Sequence, residues 1–183
     1  MLERTHPFKL PSMPDERPEL RYRDGPSTEV EIYIEAEPAA VWPLISDIGL
    51  PARFSTEFRG AEYLDGATEA AKGVRFAGRN YHEAAGEWQT ECTIVDFDVG
   101  RQLGYVVDGP EGPSSYWAFT LLPEGAGTRL VQRMKMGPGR SFINVAIDAM
   151  PDKESRILHR RLGEHRKNME ANLKGIKGLL EKP

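Results

Sequence analysis

Cysteine is almost missing from this chain of 183 residues, since Cys92 is the only one. An internal disulfide is therefore excluded, which agrees with a reducing compartment. Basic and acidic residues number 24 and 28, so the net charge is −4 and no excess of positive charge favours nucleic acid. Long apolar runs are missing as well. We expect neither a nucleic-acid partner nor stable membrane insertion.

The first residues lack the apolar core of a signal peptide, so we expect a cytoplasmic protein. Residues 1–27 are rich in proline and charge and show no hydrophobic periodicity, which predicts an extended N-terminal arm. Residues 28–183 suit a single domain with a sizeable core. The four histidines show no metal-ligand spacing with carboxylates or Cys92, and no glycine-rich loop leads a strand into a helix. The sequence predicts no metal and no cofactor.

Alternation of apolar and polar residues dominates the region from residue 29 to residue 136. Turn signals such as Asp65-Gly66 and Gly125-Ala126-Gly127 separate the alternating segments. Short turns between consecutive strands predict an antiparallel meander. The predicted strands are Glu29–Ala36, Gly60–Leu64, Gly73–His82, Gly86–Phe97, Gln102–Val107, Ser115–Leu122 and Thr128–Met136.

The longest periodic segment, Pro151–Glu181, is predicted to be a helix with one apolar face. Such a face needs a broad apolar partner, which the predicted sheet provides. After the first strand, Pro38 is typical of a helix start, and we expect Gly49 to end that helix. A second short helix or turn is predicted at Leu50–Phe58. The expected fold class is α+β.

Several stretches occur in an order that resembles the SRPBCC, or START-like, superfamily and its polyketide cyclase/dehydrase-like branch. They are VEIYIEAEPAAVWPLISDI, GVRFAGRN, EWQTECTIVDFDVGRQLGYVV and SSYWAFTLLPEGAGTRL, and the resemblance covers Glu29–Glu181. It implies a helix-grip fold, in which a seven-stranded antiparallel sheet curls around the long C-terminal helix and two short helices follow strand one. It also implies an apolar cavity between sheet and helix.

Alternation along the strands predicts which side chains face that cavity. Asn80, Thr90 and Gln132 are polar residues on otherwise apolar faces, so they need partners from the protein, water or a ligand. The apolar members could equally pack in an ordinary core. The predicted ligand-binding residues are Phe76, Asn80, Trp88, Thr90, Tyr105, Trp117, Phe119, Gln132, Met134, His165 and Met169.

His165 lies on the apolar face of the last helix, between Leu162 and Met169. A lone histidine there is more often a satisfied core residue, but it could act as a general acid or base if it opened onto the cavity. Cys92 fits a small buried hydrophobe better than a catalytic thiol. The basic residues around Arg161 are interpreted as a solvated helix face.

Three functions follow from these patterns. The first is binding or transport of a small hydrophobic ligand, whether a lipid, a sterol or an aromatic polyketide. The second is a polyketide cyclase or dehydratase, with His165 as acid or base and with Asn80 and Gln132 positioning a carbonyl. The third is a protein-interaction module that uses the arm or the loop at residues 108–114. A homodimer burying the arm would favour this third function.

Overall fold

A computed structural model of the protein describes residues 17–181. Seven strands form one sheet, in the order β1-β7-β6-β5-β4-β3-β2, and all neighbours are antiparallel. The predicted meander and the α+β class are confirmed. The strands are β1 (Ser27–Ile34), β2 (Phe58–Tyr63), β3 (Arg75–His82), β4 (Gly86–Asp98), β5 (Gln102–Val107), β6 (Ser115–Glu124) and β7 (Gly127–Met136).

Turn chemistry places the strand ends close to where the sequence predicts them. The hairpin between β6 and β7 pairs Glu124 with Gly127, which leaves a two-residue loop. Gly125 in that loop has a φ of 59°, a conformation that costs glycine little and other residues more. With this register, the even-numbered residues between Thr128 and Met136, both included, lie on the buried side of the sheet.

A β-bulge interrupts the pairing of β4 with β5 between Ile94 and Asp96. The extra residue shifts the alternation, so that Phe97 follows Ile94 onto the concave face. Phe97 meets Trp42 there, with ring centroids 5.4 Å apart. The bulge therefore extends the apolar surface of β4 beyond the stretch that simple alternation predicts.

Three α-helices accompany the sheet: α1 (Pro38–Ile45), α2 (Ile143–Ala149) and α3 (Glu154–Leu180). Turns of 3-10 helix occupy Leu50–Arg53 and Pro151–Lys153, so the predicted final helix has one tight turn at its start. Helix α1 ends at Ile45, before the predicted Gly49, and its C-cap residue Ser46 donates its hydroxyl to the Trp42 carbonyl at 2.9 Å. Within residues 17–181, no helix has both the length and the apolar character needed to cross a bilayer.

Helix α3 runs beside β1 in the same direction. The Arg166 guanidinium donates to the Glu29 carbonyl at 2.9 Å, and the Lys177 ammonium donates to the Tyr33 carbonyl at 2.7 Å. The apolar stripe predicted for this helix faces the sheet and packs on residues of β1, β6 and β7. Its buried residues are Leu158, Met169, Asn172, Leu173 and Ile176.

Near its end, α3 approaches the short 3-10 turn very closely. A Cβ placed on Gly175 would lie 2.4 Å from the ring of Phe54, so only glycine leaves room for that ring. Phe54 in turn packs against the core beneath α3. The loop after α1 is thereby held against the helix.

Residues 17–26 lie against the start of α3. The Leu20 amide donates to the Ser155 hydroxyl at 3.1 Å, and the Tyr22 amide donates to the Glu154 carboxylate at 2.8 Å. The buried Tyr22 phenol donates to the carbonyl of Gly139 at 2.8 Å. The rest of the predicted arm, residues 1–16, lies outside the described residues.

Candidate ligand-binding site

The apolar residues of the concave face separate into two clusters. The larger cluster joins α3 and α1 to β1, β6 and β7, and its centre includes Leu130 and Met169. The smaller cluster is built from Phe76, Cys92 and Ile94 on β3 and β4. The half of the sheet made by β3, β4 and β5 thus has an apolar surface of its own, apart from the one that α3 covers.

A row of side chains crosses the sheet between these clusters. Strand pairing aligns Ile94 with Tyr105, Tyr105 with Trp117 and Trp117 with Met134. The outer two members are fully buried, whereas Tyr105 and Trp117 are half-buried. The Trp117 indole N–H donates to the Ser115 hydroxyl at 3.1 Å, so the one polar atom of this side chain is satisfied. Burial raises the pKa of the Tyr105 phenol, so this group stays protonated even in alkaline solution.

His165 completes this row from the helix side. Its imidazole contacts the Trp117 indole edge-on, with ring centroids 5.0 Å apart. The side chain keeps some accessible surface, yet it is surrounded by enough protein to disfavour its charge. Burial, aided by the charges of Arg161 and His82, lowers the pKa of His165 well below its usual range. At neutral pH the ring is therefore uncharged.

Two of the polar residues predicted to face the cavity find partners within the protein. The Asn80 amide donates to the Gly78 carbonyl at 3.2 Å and lies 3.4 Å from the Thr90 hydroxyl. That hydroxyl also reaches the Gly78 carbonyl, at 3.4 Å. Trp88 lies opposite Asn80 in the same hairpin and is half-buried. Asn80 and Thr90 therefore do not need a ligand.

The third predicted polar residue, Gln132, is different. It is 4% exposed, and its side-chain oxygen Oε1 has no hydrogen-bond partner. A second buried amide on α3, Asn172, is 6% exposed and has an unpaired Oδ1. Asn172 is absent from the residues predicted from the sequence, although it follows His165 by seven positions, two helical turns that return it to the same face. Within residues 17–181, these are two buried acceptors without donors.

Some of the predicted ligand-binding residues lie in the buried core, and others are half-buried. Phe76, Phe119, Met134 and Met169 are buried. Tyr105, Trp117 and His165 come together, whereas Asn80, Trp88 and Thr90 lie at the far end of β3 and β4. Three strands separate β3 from β7, so Asn80 and Gln132 lie on different parts of the sheet. The sequence predicts that these two amides position one carbonyl, but the order of the strands does not place them side by side.

The interpretation of Arg161 as part of a solvated helix face is wrong. Its guanidinium forms two hydrogen bonds with the Glu57 carboxylate, of 2.5 and 2.6 Å. The two side chains are only 20% and 13% exposed. Glu164 joins this cluster at 3.3 Å from Arg161, and His82 lies 3.5 Å from Glu164. An ion-pair network thus connects α3 to β3 and to the loop before β2, one turn from His165.

Comparison with known families agrees with this architecture. The family model described as "Polyketide cyclase / dehydrase and lipid transport" matches residues 26–175, most of the chain. The protein belongs to this polyketide cyclase/dehydrase and lipid transport family. None of the curated protein sequences matches the chain. The match also confirms the resemblance found from the sequence stretches.

Several solved structures have a similar fold. A Polyketide_cyc-like protein of Corynebacterium glutamicum, Cgl2372, is 22% identical, with coverage of 85% of this chain and 91% of that one and a TM-score of 0.61. The protein TTHA0849 of Thermus thermophilus is 25% identical, with coverage of 85% and 97% and a TM-score of 0.54. The di-domain ARO/CYC protein BexL of the BE-7585A biosynthetic pathway is 16% identical, with coverage of 87% and 51% and a TM-score of 0.64.

Other parts of this protein contain fewer candidate functional groups. Burial raises the pKa of Cys92 to about 12, so its thiol is not a nucleophile at neutral pH. Among residues 17–181, no group of three His, Cys, Asp or Glu side chains could hold a metal ion. Two surface depressions, of about 310 and 590 Å³, are lined by Arg21, Arg23 and Glu154 and by residues around Glu29 and Arg133. Both lie outside the grip of sheet and helix, and the enclosed cavity stays a prediction.

Proposed function

We propose that this protein binds a small apolar molecule between the sheet and α3. The observation that supports this is the row of Tyr105 and Trp117, two residues that are half-buried although they stand on the inward face of the sheet. Trp117 packs against the cluster beneath α3 and its strand neighbour Tyr105 against the β3–β4 cluster, so this pair marks where the two clusters meet. An apolar ligand would cover these rings and join the two clusters.

The chemistry around the row favours a largely hydrophobic ligand. The indole N–H of Trp117 is already hydrogen-bonded to Ser115, and the Tyr105 phenol is neutral, with a pKa that burial raises further. No charged side chain belongs to the row itself. A lipid, a sterol or an aromatic polyketide fits such a surface, and the family description, which names both cyclases and lipid transport, supports the same ligand class.

The test is to extract purified protein with organic solvent and to titrate it by calorimetry with oleate, cholesterol and the aromatic polyketide emodin. We expect at least one probe to bind, and Trp117→Leu to weaken that binding about tenfold, since buried aromatic contacts are worth roughly 1 kcal/mol or more. Phe142→Leu is the matched control, because Phe142 is 72% exposed on the approach to α2, away from the row. If no probe binds and nothing apolar is extracted, the proposal is wrong.

The state of His165 favours a second candidate, a polyketide cyclase or dehydratase. A neutral imidazole against a half-buried indole could remove a proton from an activated carbon of a bound polyketide. The test is to incubate the protein with a synthetic linear poly-β-ketone thioester and follow ring formation by mass spectrometry. His165→Gln should abolish turnover, whereas His159→Gln on the outer side of α3 should retain it. Cyclisation at the uncatalysed rate would exclude this function.

A further inference from the structure

Two carbonyl oxygens inside the grip lack hydrogen-bond donors. They are Oε1 of Gln132 on β7 and Oδ1 of Asn172 on α3, and both residues are more than nine-tenths buried. Buried polar atoms in folded proteins almost always have a partner, because an unpaired acceptor loses its bonds to water without replacement. Each of these oxygens therefore needs a donor that the described residues do not supply.

Both side chains belong to the faces that enclose the interior. Gln132 pairs with Phe119 on one side and with Val30 on the other, and all three lie on the concave face. Asn172 lies on the buried stripe of α3, between Met169 and Ile176. The sheet and the helix thus each contribute one unpaired acceptor to the same layer of the protein.

Other buried polar residues in this protein are satisfied locally. The Asn144 side-chain oxygen accepts from the Ser141 amide at 2.7 Å. The Thr128 hydroxyl donates to the Ala36 carbonyl at 2.7 Å. Thr128 has this partner although it stands on the same buried side of β7 as Gln132. The two unpaired amides differ from that pattern, and they lie in the layer where a ligand is proposed to bind.

We propose that Gln132 and Asn172 accept hydrogen bonds from donor groups of the bound molecule. The inference rests on the proposed function and narrows its ligand class to apolar molecules that carry hydroxyl or N–H groups, such as phenols and alcohols. Hydrocarbons, ethers and ketones leave both oxygens unpaired, so they bind more weakly. A carboxylate brings negative charge to two acceptors and is disfavoured as well.

The experiment compares three probes of similar shape by calorimetry: 1-naphthol, which can donate, 1-methoxynaphthalene, which can only accept, and 1-methylnaphthalene, which can do neither. We expect the wild-type protein to bind 1-naphthol about tenfold more tightly than 1-methylnaphthalene, the discrimination typical of one buried hydrogen bond. The acceptor-only probe should show no such advantage. This comparison in wild-type protein needs no variant.

Variants then test whether the two amides cause the preference for 1-naphthol. Gln132→Met and Asn172→Leu replace each amide by an apolar side chain of similar size, and we expect the preference for 1-naphthol to shrink in each and to vanish in the double variant. Binding of 1-methylnaphthalene should be unchanged or tighter. Gln102→Met is the matched control, since Gln102 lies on the opposite face of the sheet near Tyr116. Thermal unfolding should show that the variants without ligand are at least as stable as the wild type.

The outcomes separate the two proposals. If all three probes bind with equal affinity, or if the preference survives in the double variant, the oxygens are bonded to trapped water and the inference is wrong while apolar ligand binding stands. If 1-methoxynaphthalene is preferred, the amides act as donors and the inference is wrong in its direction. If no naphthalene binds although oleate, cholesterol or emodin does, the inference is wrong and the proposed function stands, whereas failure of all six probes overturns both.

Discussion

The imidazole of His165 meets the indole of Trp117 almost at a right angle, with 85° between the ring planes. This contact connects α3 to the middle of the sheet at the boundary between the two apolar clusters. A charged imidazolium would lose its hydration there and would lie near the charges of Arg161 and His82, so the pKa of His165 is lowered. The stability of the fold should therefore depend on pH through this residue.

We expect the protein to lose stability through His165 as the pH falls below about 6.5, the usual pKa of histidine in an unfolded chain. Below that value the unfolded state binds a proton that the folded state does not, so the stabilising contribution is present above it and lost beneath it. At pH 5.5 the loss should approach about 1.4 kcal/mol. Urea unfolding at pH 7.5 and 5.5 measures it.

The loss of stability between pH 7.5 and 5.5 should be smaller by about 1.4 kcal/mol in His165→Gln, because glutamine does not titrate. His159→Gln, which removes another histidine from the same helix, should keep the behaviour of the wild type. A His165→Gln protein with an unchanged pH dependence would show that other groups cause it.

Gly175→Ala should destabilise the protein although alanine favours helices. The new methyl group would meet the Phe54 ring at 2.4 Å, and we expect a net loss of about 1–3 kcal/mol from overpacking. Gly163→Ala and Gly178→Ala are controls on the same helix, where an added Cβ meets nothing within 4 Å. These two should stabilise the helix by up to about 1 kcal/mol each. Chemical unfolding of the three variants would refute the close packing if all of them were stabilised.

The ion pair between Arg161 and Glu57 should contribute to stability more than a surface pair does. Removing one partner leaves a largely buried charge, so Arg161→Gln and Glu57→Gln should each be destabilising, and the double variant should recover part of the loss. We expect a coupling energy of about 1–2 kcal/mol from the double-mutant cycle. Arg160→Gln is the exposed control and should change stability by no more than about 0.5 kcal/mol. Additive effects of the two substitutions would contradict the prediction.

Cys92 should resist thiol reagents in the folded protein. Its thiol is buried and its pKa is raised to about 12, so almost no thiolate forms at pH 8. Ellman's reagent should label the native protein very slowly and label one thiol per chain at once in guanidinium chloride. Rapid labelling under native conditions would mean that the β3–β4 cluster opens readily.

The alternation of apolar residues is sufficient to predict the sheet. It places Tyr105, Trp117 and Gln132 on the inward face correctly, because successive side chains of an unbroken strand point to opposite faces of the sheet. It does not indicate how far the helix covers that face. Met134 is buried and its neighbour Trp117 is not, and this difference arises from the path of α3 along β1.

Contacts between distant residues do not follow from local patterns. The sequence assigns Arg161 to a solvated basic face because its partner, Glu57, lies 104 positions away in a loop without periodicity. Asn172 is not predicted, for a different reason. Alternation along a strand identifies polar residues on its inward face, whereas on the helix the sequence singles out His165 alone. Its spacing from His165 is the available signal.

The hydrogen bonds from Arg166 and Lys177 to β1 also bear on self-association. As an edge strand, β1 has carbonyl groups that no other strand uses, and those of Glu29 and Tyr33 are occupied by these two side chains. The opposite edge, β2, is short and carries a register shift at Gly60. Both borders of the sheet are thus poor templates for a strand from another molecule, so any dimer of this protein would form through side-chain surfaces rather than by continuing the sheet.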